Sequence, residues 1–346
     1  KIFRRIINKS CKKFRHKEIA PLFKIEKDLW MMELFHGPSL AFKDFALQLL
    51  GGIFDYLLKK KSERITILGA TSGDTGSAAI EACKDKDMMD IFILHPHKRI
   101  TKIQRKQMTT VDSQNVFNIA IKGSFDDCQD LVKKLFSDTD LGRQKKLSSI
   151  NSINWARIIG QIPYYFYATA KLNLLDSGIS FCVPSGNFGN AYACYVSKII
   201  GLPVRKIIIG SNRNDVLTRF FTGGSLKLSN VVATLSPSMD IQISSNLERY
   251  LFEIFNRSGS KTAKNLESLR MNGRIEISKN NLLKIRKTYE AYKLDDNGTL
   301  QNIKKVYNDT GRIIDPHSSV GFYSAIEAGK KSSVPIVTLA TAHPSK

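Results

Sequence analysis

The sequence predicts an α/β protein built on mostly parallel sheet covered on both faces by helices, and three observations predict it. Short runs rich in Val and Ile alternate with stretches of 3.6-residue apolar period. The strand-helix unit recurs along the chain, which is the signature of crossover connections. Polar glycine loops stand directly between a strand run and a helix, where open sheets of this kind bind ligands. At 346 residues the chain has room for about two domains.

Taken in order, KIFRRIINKSCKKFRHKEIAPLF is basic and reads as a surface helix packed through Ile2, Ile6 and Phe14. It contains no run of about 7–15 apolar residues of the secretory-signal kind. The chain opens without methionine inside that helical pattern, as a fragment does. After Lys43, the positions Ala46, Leu49, Leu50, Ile53, Phe54, Leu57 and Leu58 follow the helical period, giving a helix with one buried face. RITILGA is then a strand, TSGDTGS a loop and AAIEACKDK a helix. The rhythm repeats in DIFILHPH, in VFNIAIKGS with FDDCQDLVKKLFSD, in ISFCVPSG with NAYACYVSKIIG, and in VRKIIIGSN. NWARIIGQIPYYFYATAKL reads as an apolar helix kinked at Pro163. Residues 244–310 are charged and helical and read as a peripheral insertion without strands. VPIVTLATA returns to the sheet.

Composition excludes several classes. With 42% hydrophobic and 24% charged residues the chain is neither disordered nor fibrous. No apolar run approaches the ~20 residues of a membrane span. The net charge of +22 suits an acidic partner or anionic substrates, yet the lysines are dispersed and no basic cluster is interleaved with aromatics, so neither a nucleic-acid nor a membrane partner is expected. Five dispersed cysteines without a C-x-x-C pair encode neither a disulfide framework nor a zinc site, so no metal is expected and a reducing, cytoplasmic setting is.

Three features carry chemistry. GATSGDTGSAA, Gly69 to Ala79, offers hydroxyls ahead of a helix N-terminus, suited to a carboxylate or phosphate or simply to a capped helix start. VPSGNFGNAY, Val183 to Tyr192, has two glycines that let backbone N–H groups converge on one anion. Neither loop has a dinucleotide or Walker spacing. Lys43 follows the Gly37-Pro38 break at the start of a helix, and a neutral lysine amine condenses with a carbonyl when burial lowers its pKa. An amine, an anion cradle and a ring-nitrogen partner are what a phosphate-bearing aldehyde cofactor requires, which points to pyridoxal phosphate.

ELFHGPSLAFKDFA, GATSGDTGSAA, NSINWARIIGQ, VPSGNFGN, SPSMDIQISSNLER, DPHSSVG and TAHPSK, in this order, resemble the threonine synthase family of bacterial and fungal type, and the resemblance covers essentially the whole chain. It implies fold type II of the pyridoxal phosphate enzymes: two open, twisted, mostly parallel sheets flanked by helices, with the cofactor in the cleft between two domains. On that pattern residues 1–61 and 162–346 form the larger domain, including the 244–310 insertion, and 62–161 the smaller.

The resemblance also implies site roles. Lys43 looks like the Schiff-base lysine and proton-transfer group. Gly186, Asn187, Phe188, Gly189 and Asn190 look like the phosphate cradle, and Thr341 like the hydroxyl facing the pyridine nitrogen. Thr71, Ser72, Gly73, Asp74 and Thr75 look like the clamp on the substrate α-carboxylate and the cofactor's 3-oxygen side, while Ser152, Asn154 and Arg157 are the expected ligands of the substrate phosphate. The implied reaction is O-phospho-L-homoserine plus water giving L-threonine plus phosphate, in a monomer or homodimer. The alternatives are another fold type II lyase such as a threonine dehydratase, disfavoured by NSINWAR and SPSMDIQ, and a catalytically silent homologue. Ser39 and Ser345 stand where the family pattern has threonine and alanine. His36, His317 and His343 read as structural rather than catalytic, and the YYFYA tyrosines as core.

Overall fold

The computed structural model describes the whole chain except Ser72 and Ile153, and in one helix the side chain of Asp126 also lies outside the described residues. In chain order the elements begin α1 (Ile2–Cys11), β1 (Leu22–Glu26), β2 (Leu29–Glu33), α2 (Lys43–Lys61), β3 (Ile65–Ala70), α3 (Asp74–Cys83), β4 (Met89–Pro96), α4 (Lys102–Thr109), β5 (Val116–Ile121) and α5 (Phe125–Ser137). They continue with α6 (Thr139–Lys145), β6 (Leu147–Ser148), α7 (Trp155–Ile159), α8 (Ile162–Lys171), β7 (Ile179–Pro184), α9 (Gly189–Ile199), β8 (Val204–Ser211), α10 (Val216–Gly223) and β9 (Ser225–Lys227). The remainder are α11 (Leu247–Ile254), α12 (Gly259–Asn272), β10 (Arg274–Glu276), α13 (Lys279–Thr288), β11 (Tyr289–Lys293), α14 (Asp296–Thr310), α15 (Pro316–Gly329) and β12 (Ile336–Ala340).

The chain divides into two compact units. The first comprises Lys1–Ile19, Phe35–Gly160 and Lys346. Its four strands, all parallel, run in the order β5-β4-β3-β6. Leu47, Leu50 and Leu58 of α2 pack with Ile80 and Cys83 of α3 over Ile67, Ile91 and Ile93, each such side chain gaining about 1.5–3 kcal/mol from burial. Small residues set the helix spacing: a Cβ at Gly51 would lie 2.4 Å from the Ala82 carbonyl oxygen, so α2 and α3 meet backbone to backbone. Gly52 does the same for α1, where a Cβ would meet Ile6 Cγ2 at 2.8 Å.

The second unit comprises Ala20–Leu34 and Gln161–Ser345. Its sheet runs β1-β2-β12-β7-β8-β11, antiparallel only at the β1/β2 edge. Every residue of β7 and of β12 is buried, which is why ISFCVP and IVTLA read as continuous apolar runs: central parallel strands are covered on both faces. A separate antiparallel pair joins β9 and β10. Among the described residues no helix is long and apolar enough to cross a membrane, and all five cysteines are free.

Three expectations change. Residues 1–19 and 35–61 group with the first unit rather than with the 162–346 part, because α2 is fastened to α3 through Gly51. The 244–310 stretch is not strand-free: β11 extends the main sheet beside β8, and β10 pairs with β9. Pro163 does not kink a helix but stands in the first turn of α8, where its missing N–H costs nothing. At the N-terminus Ile2 is about half exposed, while Phe14 packs edge-on to Phe45 with ring centroids 4.8 Å apart.

Candidate active site

In the first unit Lys43 opens α2. Its side chain is 12% exposed and its Nζ lies 3.6 Å from Asp74 Oδ2. The other oxygen of Asp74 receives Lys346 Nζ at 2.7 Å and Gln104 Nε2 at 3.0 Å. Burial lowers the Lys43 amine to about 8; Asp74 opposes the shift, while the nearby charges of Lys346 and Arg157 add to it. At neutral pH about a tenth of the molecules then carry a neutral amine, against well under a thousandth for an ordinary lysine.

The turn ahead of Lys43 is built around Asp44, whose Oδ2 accepts the Ser39 N–H at 2.8 Å. Asp44 is fully buried, and burial pushes its carboxyl up to about 7 against the pull of that N–H. Gly37 leaves the carboxylate its space, since a Cβ there would sit 2.4 Å from Asp44 Oδ2.

The other expected substrate ligands divide by what their side chains already do. Thr71 Oγ1 accepts the N–H groups of Gly73 at 3.0 Å and Gly76 at 2.8 Å, so it closes the start of α3. Gly73 has φ 144° and a Cβ there would collide with the Gln104 side chain, a conformation only glycine takes readily. Ser72 lies outside the described residues. Thr75 makes no side-chain hydrogen bond to a described residue. Asn154 Oδ1 caps α7 by accepting the Ala156 N–H at 3.0 Å, which leaves its amide NH2 as the end that could meet a phosphate. Arg157, 6% exposed, donates from Nη1 to the Ile150 carbonyl at 3.2 Å, and burial lowers its guanidinium to about 10. Ser152 is half-buried. Lys43, Lys346 and Arg157 against Asp74 leave this nest positive, as an anionic substrate requires.

In the second unit β7 and β12 are parallel neighbours, so the loop after β7 and Thr341 after β12 stand at the carboxyl ends of adjacent strands, where α/β sheets bind ligands. Phe188 holds φ 60°, which costs a non-glycine residue about 1–2 kcal/mol. Its fully buried ring compensates by stacking on Phe221 at 5.4 Å within a cluster that includes Tyr250 and Tyr289. The loop carbonyls are tied down from the 244–246 segment: Ser244 Oγ donates to the Gly186 oxygen at 2.8 Å, and the Asn246 N–H to the Asn187 oxygen at 3.1 Å. The Asn190 side chain is also consumed, donating to the Pro184 carbonyl at 3.0 Å and accepting from Ser185 Oγ at 2.6 Å, so it shapes the loop and only its N–H faces a ligand.

What remains is a run of donors. The backbone N–H groups of Gly186, Asn187, Phe188, Gly189 and Asn190 donate to no acceptor among the described residues, at the N-terminus of α9, where the helix dipole favours negative charge. Thr341 is 5% exposed and its hydroxyl bonds to no described residue. These observations fit a phosphate and a ring nitrogen in the second unit, and a carbonyl on the Lys43 amine in the first.

Sequence reasoning missed the residues that hold these groups. Gln104 and Lys346 on Asp74 were not singled out. Nor were Asp315 and Ser318 in their supporting roles. Asp315 caps α15 and accepts from His317 Nδ1 at 2.7 Å, and Ser318 Oγ accepts the Thr341 N–H at 3.2 Å. His317 Nε2 accepts the Ser238 N–H at 3.2 Å, so both of its ring nitrogens are engaged within the second unit.

A family model described as pyridoxal-phosphate dependent enzyme matches residues 14–271. The chain is 46% identical over 344 residues to a threonine synthase of Pseudomonas aeruginosa, covering 99% of this chain and 73% of that one. Identity is 40% over 372 residues with a threonine synthase of Saccharomyces cerevisiae, at 99% and 72% coverage. Among solved structures, a PLP-bound threonine synthase from Brucella melitensis superposes with a TM-score of 0.95 at 45% identity, covering 99% of this chain and 74% of that one. Maize serine racemase, at 14% identity and a TM-score of 0.67 over 99% and 92% of the two chains, shares the fold.

Proposed function

The chain belongs to the threonine synthase family of pyridoxal-phosphate dependent enzymes, and from that premise we propose that it converts O-phospho-L-homoserine and water to L-threonine and phosphate. The C–O bond at Cγ breaks and phosphate leaves, Cβ gives up a proton and Cγ takes one to become the methyl, and the oxygen of water becomes the hydroxyl at Cβ. The observation that carries the reading is the buried amine of Lys43, lowered to about 8, in a chain 46% identical to a threonine synthase. Nothing among the relatives favours a dehydratase.

Pyridoxal phosphate, when bound, supplies an electron sink that acidifies the substrate's Cα–H and then Cβ–H. The chain's own residues do the rest. The free N–H groups of Gly186 to Asn190 hold the cofactor phosphate, and the Thr341 hydroxyl meets the ring nitrogen. A hydroxyl there, in place of a carboxylate, leaves that nitrogen largely unprotonated. Lys43 would hold the cofactor through its amine, and the same amine would move protons at the substrate's Cα and Cβ; a pKa near 8 suits a base that must also give its proton back. The Thr75 hydroxyl would receive the substrate carboxylate end, and Arg157 with Ser152 and the Asn154 amide the substrate phosphate. The positive nest around Lys43 draws in the dianionic phosphate and stabilises it as it leaves. A monomer or homodimer working in the cytoplasm completes the reading.

The test is the visible absorbance of the purified chain with pyridoxal phosphate, before and after O-phosphohomoserine, with phosphate and threonine measured and Lys43→Ala alongside. A cofactor band that the variant lacks, with both products formed, supports the proposal. A band without phosphate release sinks the substrate assignment, and no band in folded protein sinks the role of Lys43.

A further inference from the structure

The helix α4 contributes nothing to the reaction as described, yet two of its side chains reach the segments that flank Lys43. Gln104 Nε2 donates to Asp74 Oδ1 at 3.0 Å, and Gln107, one turn on, donates from Nε2 to the Ser39 carbonyl at 3.0 Å. Asp74 is the counter-charge of Lys43. Ser39 donates its N–H to Asp44, the next residue after Lys43. Residues i and i+3 lie on one helix face, so a single rigid element grips both.

The Gln104 amide is itself fixed. Its Oε1 accepts the Thr101 N–H at 3.4 Å in a capping box, in which Thr101 Oγ1 accepts the Gln104 N–H at 3.2 Å. With the oxygen so engaged, the NH2 end is the one that meets the carboxylate. Gly73 removes the Cβ that would collide with Gln104 at 2.4 Å. The strained φ of Gly73 therefore serves to let this amide reach Asp74.

We propose that Gln104 is a positioning residue for Lys43: it orients the Asp74 carboxylate and shares with Lys346 the hold on one of its oxygens, so that the ion pair with the catalytic amine stays loose. Gln107 steadies the preceding turn in the same way. A carboxylate held by a neutral donor has less to offer a second cation than one left free to swing onto it. The inference rests on the role of Lys43 proposed above.

The experiment follows the amine itself, on the full chain before cofactor is added. Trace acetylation is measured against pH, and the midpoint for Lys43 is read by mass spectrometry of its peptide. Gln104→Met keeps the bulk that packs on Gly73 and removes the donor. The expected result is a midpoint raised by roughly half to one unit, hence about three- to tenfold less neutral amine at a given pH. In an Asp74→Asn background the same substitution is expected to move the midpoint by nothing further. An unchanged midpoint in folded Gln104→Met, or a shift that persists without Asp74, overturns the proposal. Should Gln104→Met not fold, Gln104→Asn, polar but one methylene short of the carboxylate, is read in the same way. Because the readout needs neither cofactor nor substrate, a failed assignment of substrate leaves it intact.

Discussion

Lys43 Nζ stands 3.6 Å from Asp74 Oδ2, beyond the 2.7–2.9 Å of a tight charge-assisted bond, while Lys346 Nζ holds the other oxygen at 2.7 Å. The carboxylate is thus bound more closely by Lys346 than by Lys43. That asymmetry lets burial outweigh the ion pair and set the Lys43 amine near 8. A tighter pair would hold the amine protonated and useless as a base.

This arrangement costs stability, in a pH window that can be named. Lys43 titrates near its ordinary 10.5 in the unfolded chain and near 8 when folded. Between those values the unfolded chain binds the extra proton, so stability rises with pH across the window. Below about 8 the full penalty applies, roughly 3 kcal/mol at most. Lys43→Met is therefore expected to stabilise the cofactor-free chain by about 1–3 kcal/mol at pH 7, the gain shrinking toward pH 10.5. Denaturant unfolding at pH 7 and pH 10 checks it; a loss of stability at both would show that the ion pair, not burial, dominates.

Gly37 and Asp44 compete for one space. Gly37→Ala places a Cβ 2.4 Å from Asp44 Oδ2, and the displaced carboxylate loses the Ser39 N–H. Overpacking of this kind costs about 1–3 kcal/mol. Since Asp44 adjoins Lys43, cofactor capture is also expected to slow severalfold. Thermal unfolding and the rate of absorbance change on adding pyridoxal phosphate measure the two effects, and a variant as stable and as fast as the parent would refute the crowding.

How far the chain could be read without its structure follows from the range of each interaction. The loops at 69–79 and 183–190 were legible because glycines and hydroxyls between an apolar run and a helix are local signals. The partition was not: Gly51 packs on Ala82, a contact between residues 31 apart that periodicity does not reveal. The strand β11 was missed because YEAYK, at the sheet edge, leaves three of its five residues short of full burial and follows a charged helix without a break. Thr71, Asn154 and Asn190 each spend a side-chain oxygen on their own segment, which the sequence did not reveal. A side-chain oxygen that caps its own helix looks identical in sequence to one aimed at a substrate. Gln104 sits 30 residues from the carboxylate it holds, and only the packing of α4 on α3 joins them.

The phosphate cradle is testable at Gly186. A Cβ there meets the Ser238 carbonyl oxygen at 2.6 Å and Met239 Cα at 3.1 Å. Both are backbone, so no side chain can swing aside. Gly186→Ala is expected to push the loop out of register with its donors and weaken pyridoxal phosphate binding by about tenfold or more, or ~1.4 kcal/mol. The chain should stay folded, because the Phe188 anchor is untouched. Equilibrium dialysis against the cofactor gives the answer, and an unaltered dissociation constant would place the phosphate elsewhere.

Asp315 supports Thr341 at one remove. Its carboxylate accepts the N–H groups of His317 and Ser318, both at 3.0 Å, together with the Ser318 hydroxyl and the His317 Nδ1–H. Ser318 Oγ then accepts the Thr341 N–H, and His317 Nε2 accepts the Ser238 N–H, so one carboxylate fixes the residues around the expected ring-nitrogen contact. Asp315→Ala removes a helix cap, about 1 kcal/mol, and strands buried donors, about 1–3 kcal/mol more. Asp315→Asn keeps an acceptor for the cap but offers a donor where His317 and Ser318 also donate. The alanine variant is accordingly expected to unfold at clearly lower denaturant. The asparagine variant should lose less stability yet still bind cofactor severalfold more weakly, because Thr341 is no longer held. If both variants weaken folding while cofactor affinity stays that of the parent, the Asp315 network is a helix cap alone, and Thr341 keeps its place without it.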